Sequence, residues 1–159
     1  MSSTAPHSLT LSRAGGAELD EVMEIVARAF DPRYGEAWTR AQCAGILPMS
    51  GVILLLGRVD GKAAGFSLSR HVAGEAELLL LGVAPECRGR GIAGALVHRF
   101  VADSAAAGAK LLHLEVRDGN PAVSLYRNHH FTIAGRRHKY YRGPEGEMLD
   151  ALTMVRKIS

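Results

Sequence analysis

The stretch Arg88-Gly89-Arg90-Gly91-Ile92-Ala93-Gly94 gathers residue types that suit an anionic ligand. It follows a strand-like apolar segment, Glu77 to Val83, and opens a helix-like one, Ile92 to Ala107. A loop entering a helix N-terminus presents unpaired backbone N–H groups and the positive end of the helix dipole, a site for phosphate oxygens. Glycine puts no Cβ between those amides and a ligand. Arginine adds charge and a forked donor set that matches phosphate. The chemistry to expect is recognition of a phosphate-bearing ligand.

Gly89-Arg90-Gly91-Ile92-Ala93-Gly94 also matches the dinucleotide fingerprint G-x-G-x-x-G, with an acidic residue, Glu115, roughly 20 residues on. Three features count against a doubly wound nucleotide fold. Ala84 to Arg88 intervene between the strand and the first glycine, arginines flank that glycine on both sides, and too little chain follows for a second half. A glycine-rich turn that binds nothing is the remaining alternative.

The elements that must position this loop are legible from periodicity and breakers. Leu9 to Leu11 reads as a short strand and Ala17 to Phe30 as an amphipathic helix ended by Asp31-Pro32. Glu36 to Leu47 is expected to be a second helix. Val52 to Val59, Ala63 to Val72 and Glu77 to Val83 are expected strands, the first two joined by an Asp60-Gly61 hairpin turn. The helix after the loop ends at Gly108, a left-handed cap. Leu111 to Val116 alternates, with Leu112, Leu114 and Val116 on one face and His113, Glu115 and Arg117 on the other. Asn120-Pro121 starts a helix running to about Asn128. Phe131 to Tyr141 and Met148 to Val155 are the last strands. Three meandering strands followed by strand–helix alternation predict an α/β fold with a mixed, mostly antiparallel sheet of six or seven strands and helices on both faces.

At 159 residues, 47% apolar and 22% charged, the chain reads as a single domain with a real core. A net charge of +3 is too mild to argue for nucleic acid but suits a ligand carrying several phosphates. Cys43 and Cys87 lack metal or redox spacing, which predicts a reduced, cytoplasmic compartment. Met1 to Ser12 has no apolar core for a signal peptide, and no run suggests a membrane span. The seven histidines form no ligand pattern, so no metal is expected.

The loop fits the acyl-CoA pattern Q/R-x-x-G-x-G/A as Arg88-x-x-Gly91-x-Ala93, and the element order is similar to that of the GNAT superfamily of N-acetyltransferases. Glu75 to Leu79, Leu114-Glu115-Val116-Arg117, Asn120, Leu125-Tyr126-Arg127, Arg136-Arg137 with Tyr140-Tyr141, and Asp150-Ala151 resemble the RimI-type ribosomal-protein-alanine N-acetyltransferases. The resemblance covers roughly residues 8 to 158 and implies one acetyltransferase domain over 1 to 159. It further implies acetyl-CoA as cosubstrate and a protein N-terminus as acceptor. A monomer or weak homodimer is expected, without nucleic acid or membrane partners.

The resemblance assigns Arg88 to Gly94, including Gly89, Arg90, Gly91, Ile92 and Ala93, to the pyrophosphate, and the Leu81-Gly82-Val83 backbone to the pantetheine arm. The Val83 N–H would polarise the thioester carbonyl. Gly82 inside a strand suggests a bulge or a close ligand approach. Glu115 would be the general base, acting through a water, or else a solvated strand carboxylate or the ion-pair partner of Arg117. Tyr126 would be the general acid for the leaving thiolate, or else a core aromatic. Asn120 would contact the cofactor arm, or only cap its helix. Tyr140 and Tyr141 would shape the acceptor groove, with Trp38 and Tyr34 walling its other side. Acceptor chemistry bears on the base: near pH 7 roughly a tenth of an α-amine is neutral, against under a thousandth of a lysine amine. Lysine, polyamine and antibiotic amines are alternative acceptors, and a non-catalytic acyl-CoA-binding module is the reading from another class. One departure stands out. His129-His130 replaces the family's Leu-Gly before Phe131, and a left-handed histidine there should cost about 1 kcal/mol.

Overall fold

The structure is a computed structural model that describes residues 8–158. The opening of the polar Met1 to Ser12 stretch lies outside the described residues. The chain runs β1 (Leu9–Ala14), α1 (Leu19–Ala29), α2 (Arg40–Ile46), β2 (Val52–Val59), β3 (Lys62–Val72), β4 (Glu75–Val83), α3 (Ile92–Ala106), β5 (Leu111–Arg117), α4 (Ala122–Asn128), β6 (Thr132–Arg142) and β7 (Met148–Lys157). Seven strands form one sheet in the order β1-β2-β3-β4-β5-β7-β6, antiparallel except where β4 meets β5. The mixed sheet expected from the sequence is therefore present.

Helices cover both faces because each apolar stripe needs a partner. On one face, Leu19, Val22, Ile25 and Val26 of α1 and Cys43 of α2 pack on Leu54, Leu56, Phe66, Leu68 and Leu80. On the other, Val97 and Phe100 of α3 and Tyr126 of α4 pack on Leu78, Leu112, Leu114, Leu152 and Met154. Ile92 and Leu96 fill the space above Leu55, Val59 and Ala64. Asp60-Gly61 turns with φ of 52° and 80°, the pair of positive values that a two-residue hairpin requires.

Three local expectations change. The second helix starts at Arg40 rather than Glu36, because Thr39 caps it reciprocally with Gln42 (3.1 and 2.7 Å). Residues 36–39 are thereby released into a loop. The first helical residue of α4 is Ala122 and its N-cap is Pro121, one residue later than expected, while the Asn120 Oδ1 accepts from the Ala122 N–H at 2.8 Å just ahead of the cap. The bulge expected at Gly82 falls instead at Leu79, where the β3–β4 register steps from Leu68↔Leu80 to Ser69↔Leu78. Gly82 has a packing reason. A Cβ there would sit 2.8 Å from Cε1 of Phe66, its fully buried cross-strand partner.

Candidate active site

The site begins where β4 and β5 part. Their pairing runs from Glu75↔Leu111 to Leu78↔Leu114 and stops, and the Leu79 bulge follows at once. A bulge bends its strand and adds twist, so β4 swings away from β5. The Ala84 N–H donates to the Ala64 carbonyl at 2.8 Å, and bonding alternates along an antiparallel pair. With Gly65↔Val83 and Ser67↔Leu81 in register, the N–H and C=O groups of Leu81 and Val83 turn from β3 toward the gap. Around the gap lies a cleft of about 480 Å³.

At one end of the cleft the chain passes from Val83 to α3. Gly89 and Gly91 both adopt φ of 78°, and Gly91 is the N-cap of α3. Their left-handed backbone is what glycine permits, since no neighbour lies within 4 Å of a Cβ at either. The first-turn amides of α3 have no intrahelical acceptor, as at any helix start. The Arg88 side chain, exposed at the mouth of the cleft, donates from Nη2 to the Ala29 carbonyl at 3.0 Å. Arg88 thus ties the loop to the C-terminus of α1, and a second tie joins Arg28 to Glu86. Arg90 is exposed.

On the far wall, β5 keeps its alternation: Leu112, Leu114 and Val116 are buried, and Glu115 faces the cleft. The Glu115 carboxylate is 10% exposed, with both oxygens occupied. Oε1 pairs with Arg137 Nε at 3.0 Å, and Oε2 accepts from the Thr153 hydroxyl at 2.7 Å. The expected alternative partner, Arg117, instead pairs with Glu36 at 3.1 Å. Tyr126 reaches the cleft from α4, with its ring edge-on to Phe131 at 6.2 Å. Burial first, and the charge of Glu36 second, push its phenol well above the ordinary tyrosine range, so it stays protonated. The turn that follows places His130 at φ 66°, the left-handed residue expected there.

The remaining wall is the loop between α1 and α2. Gly35 has φ 64°, and a Cβ there would lie 2.0 Å from the Arg142 carbonyl oxygen. The loop therefore sits directly on the backbone at the end of β6. Seated so, it delivers Tyr34, Glu36 and Trp38 to the cleft. Glu36 Oε1 accepts from Arg117 Nε at 3.1 Å and from Asn120 Nδ2 at 3.0 Å. The Arg117 guanidinium stacks on the Tyr34 ring at 3.6 Å. Tyr140 and Tyr141, edge-on at 4.9 Å, stand in β6 beside a register shift where Lys139 has φ 54°.

The cleft thus brings together Leu81, Gly82, Val83, Arg88, Ala93, Glu115, Asn120, Tyr126, Trp38, Tyr140 and Tyr141 of the residues singled out from the sequence. Gly89, Arg90 and Gly91 lie on the exposed loop beyond it, and the Ile92 side chain is in the core. Sequence reasoning left out the partners: Arg137 and Thr153 on Glu115, and Arg117 with Asn120 on Glu36. Only the β5–β7 register, which sets Glu115 opposite Thr153, would have exposed the first of these.

Comparison with known proteins agrees with this architecture. The acetyltransferase (GNAT) family model matches residues 19–131. A ribosomal-protein-alanine N-acetyltransferase of Escherichia coli is 34% identical over 101 residues, covering 63% of this chain and 68% of its own. The crystal structure of such an enzyme from Escherichia coli superposes with a TM-score of 0.85 at 28% identity, over 96% of this chain and 95% of that one. Mycothiol acetyltransferase of Clavibacter michiganensis is 31% identical over 86% of this chain, which spans only 47% of that relative's length. An Arabidopsis thaliana protein crystallised with acetyl-CoA shares the fold, with a TM-score of 0.81 at 20% identity over 95% of this chain and 99% of its own. The family model spans the open β4 edge, the glycine-rich start of α3 and both Glu115 and Tyr126, and that match over most of the chain makes it a member of the acetyltransferase (GNAT) family.

Proposed function

We propose that this protein transfers the acetyl group of acetyl-CoA to the N-terminal α-amine of a protein, with a ribosomal protein beginning with alanine as the first acceptor to test. The observation that carries the reading is the open β4 edge facing Glu115 and Tyr126 across one cleft. Acetyl-CoA supplies the activated acyl group. The residues fit it: the outward groups of Leu81 and Val83 can pair with an amide-bearing arm, as an added strand would. The amides from Gly89 to Gly94 suit a pyrophosphate.

The Val83 N–H would donate to the thioester oxygen as negative charge develops there. Glu115 would take the amine's proton through a water, since its carboxylate is anchored at both oxygens and faces the cleft. Tyr126, held protonated by burial, would hydrogen-bond to the departing sulfur and return a proton to it. Asn120 uses both ends of its amide on the protein, which supports a bracing role over contact with the cofactor arm. Trp38, Tyr140 and Tyr141 would line the acceptor groove.

The match to mycothiol acetyltransferase favours a second reading, transfer to the amine of a small molecule. CoA release separates the two. The panel is peptides starting with alanine, serine or methionine, an N-blocked peptide with internal lysine, and spermidine. Turnover confined to free peptide N-termini supports the α-amine reading. Turnover on spermidine or the blocked peptide overturns it, and acetyl-CoA binding without turnover on any member would reduce the protein to an acyl-CoA-binding module for this panel.

A further inference from the structure

Of the carboxylates that line the cleft, Glu36 and Glu115 are the ones the protein treats most differently. Glu115 has a partner on each oxygen. Glu36, equally shielded at 10% exposure, receives both of its donors on Oε1 and, among the described residues, none on Oε2. Oε2 is not fully buried: it stays reachable from the cleft, where an arriving ligand can supply the donor it lacks. The arrangement around it is rigid. Arg117, 11% exposed, is clamped between Glu36 and the Tyr34 ring, and Gly35 fixes the loop on the Arg142 backbone. The charge of Glu36 is felt by both cleft phenols, Tyr126 and Tyr141, so it lies beside the groups that flank the reaction.

We propose that Glu36 is an acceptor-binding residue, its Oε2 receiving the ammonium group with which the amine arrives. The proposal rests on the amine-acceptor reading above and adds a specificity element: the pocket selects for a positive charge at the acceptor's first atom. The contact belongs to the ground state, since the nitrogen is neutral when it attacks. Loss of Glu36 therefore raises KM for the acceptor and leaves kcat nearly unchanged. This separates it from Glu115, whose proposed role acts on kcat.

Trp38, the sole tryptophan, lines the cleft and reports occupancy by its fluorescence. Wild type and Glu36→Gln are titrated with an alanine-starting peptide and with the same peptide N-acetylated. Glutamine keeps an oxygen for Arg117 and Asn120, so the loop retains its seat. Acetyl-CoA affinity, measured alongside, should stay within about twofold.

The expected result is a wild-type preference for the free amine of about 10- to 100-fold, the range of a charge-assisted hydrogen bond, abolished in Glu36→Gln. Equal wild-type affinity for the two peptides overturns the proposal, as does an undiminished preference in the variant. If Glu36→Gln weakens both peptides and acetyl-CoA alike, Glu36 is a structural brace and the proposal also fails. Selective binding of the free amine without turnover would support the Glu36 contact while removing the proposed acetyl transfer, so the two readings fail separately.

Discussion

The two edges of β4 meet opposite fates. Toward β3 the strand is paired from Val72↔Glu75 through Gly65↔Val83, whereas toward β5 it is paired over four residues and then abandoned. The same residues serve both edges: Gly82 is pressed against Phe66 while its neighbours Leu81 and Val83 offer their backbone to the gap. The closed edge supplies rigidity, and the open edge supplies unsatisfied donors and acceptors that a ligand can take. Function here comes from pairing that the sheet withholds, made possible by pairing that it completes.

The largest effect should come from the open edge. Val83→Pro removes an N–H that faces the gap but no β3 bond, so turnover should fall about 10²- to 10³-fold with the melting temperature nearly unchanged. Loss of the folded state instead would mean that this amide belongs to the sheet. On the closed edge, Gly82→Ala should lower stability by roughly 1–3 kcal/mol in denaturant titration, as the new methyl meets Phe66. Combining it with Phe66→Leu should cost less than the sum of the singles; strict additivity would remove the contact as the cause.

A smaller change follows from the turn beside Tyr126. His130→Gly relieves a φ of 66° and should stabilise by up to about 1 kcal/mol, or roughly 2–4 °C in a calorimetric scan. The fully paired end of the sheet carries the mildest prediction. His71 of β3 sits against Phe100 with both ring nitrogens buried and unpartnered, and burial lowers its pKa. Arg13 lowers it further, and Asp103 opposes both. The neutral ring is thus the native form. Stability is fully present above the unfolded value near 6.5 and declines as the pH falls below it, because the unfolded chain then gains the proton first. His71→Phe should flatten that acid limb in unfolding curves recorded between pH 5 and 7.

Much of this was legible in the chain itself. The β5 alternation set Glu115 on the face opposite Leu114, and His130 was expected in the left-handed region from its place after a helix. The second helix was misjudged at its start because the pattern of apolar residues did not reveal the Thr39–Gln42 cap. Of the two readings offered for Gly82, a bulge or a close ligand approach, the bulge lies at Leu79 instead, and the ring across the strand gives the glycine a packing reason. Arg117 was offered to Glu115, its neighbour two residues away on the same face, and went to a glutamate in a distant loop.

The sequence by itself determined the elements, their order, the glycine-rich helix start and the family resemblance, since periodicity, caps and φ preferences act within a few residues. Tertiary structure alone decided where β4 leaves β5 and which oxygens of Glu115 and Glu36 are taken. Arg117 and Glu36 are 81 positions apart, and Thr153 and Glu115 are 38 apart. Such pairings depend on how the sheet twists and where a loop is seated, and no local pattern in the chain encodes that distance.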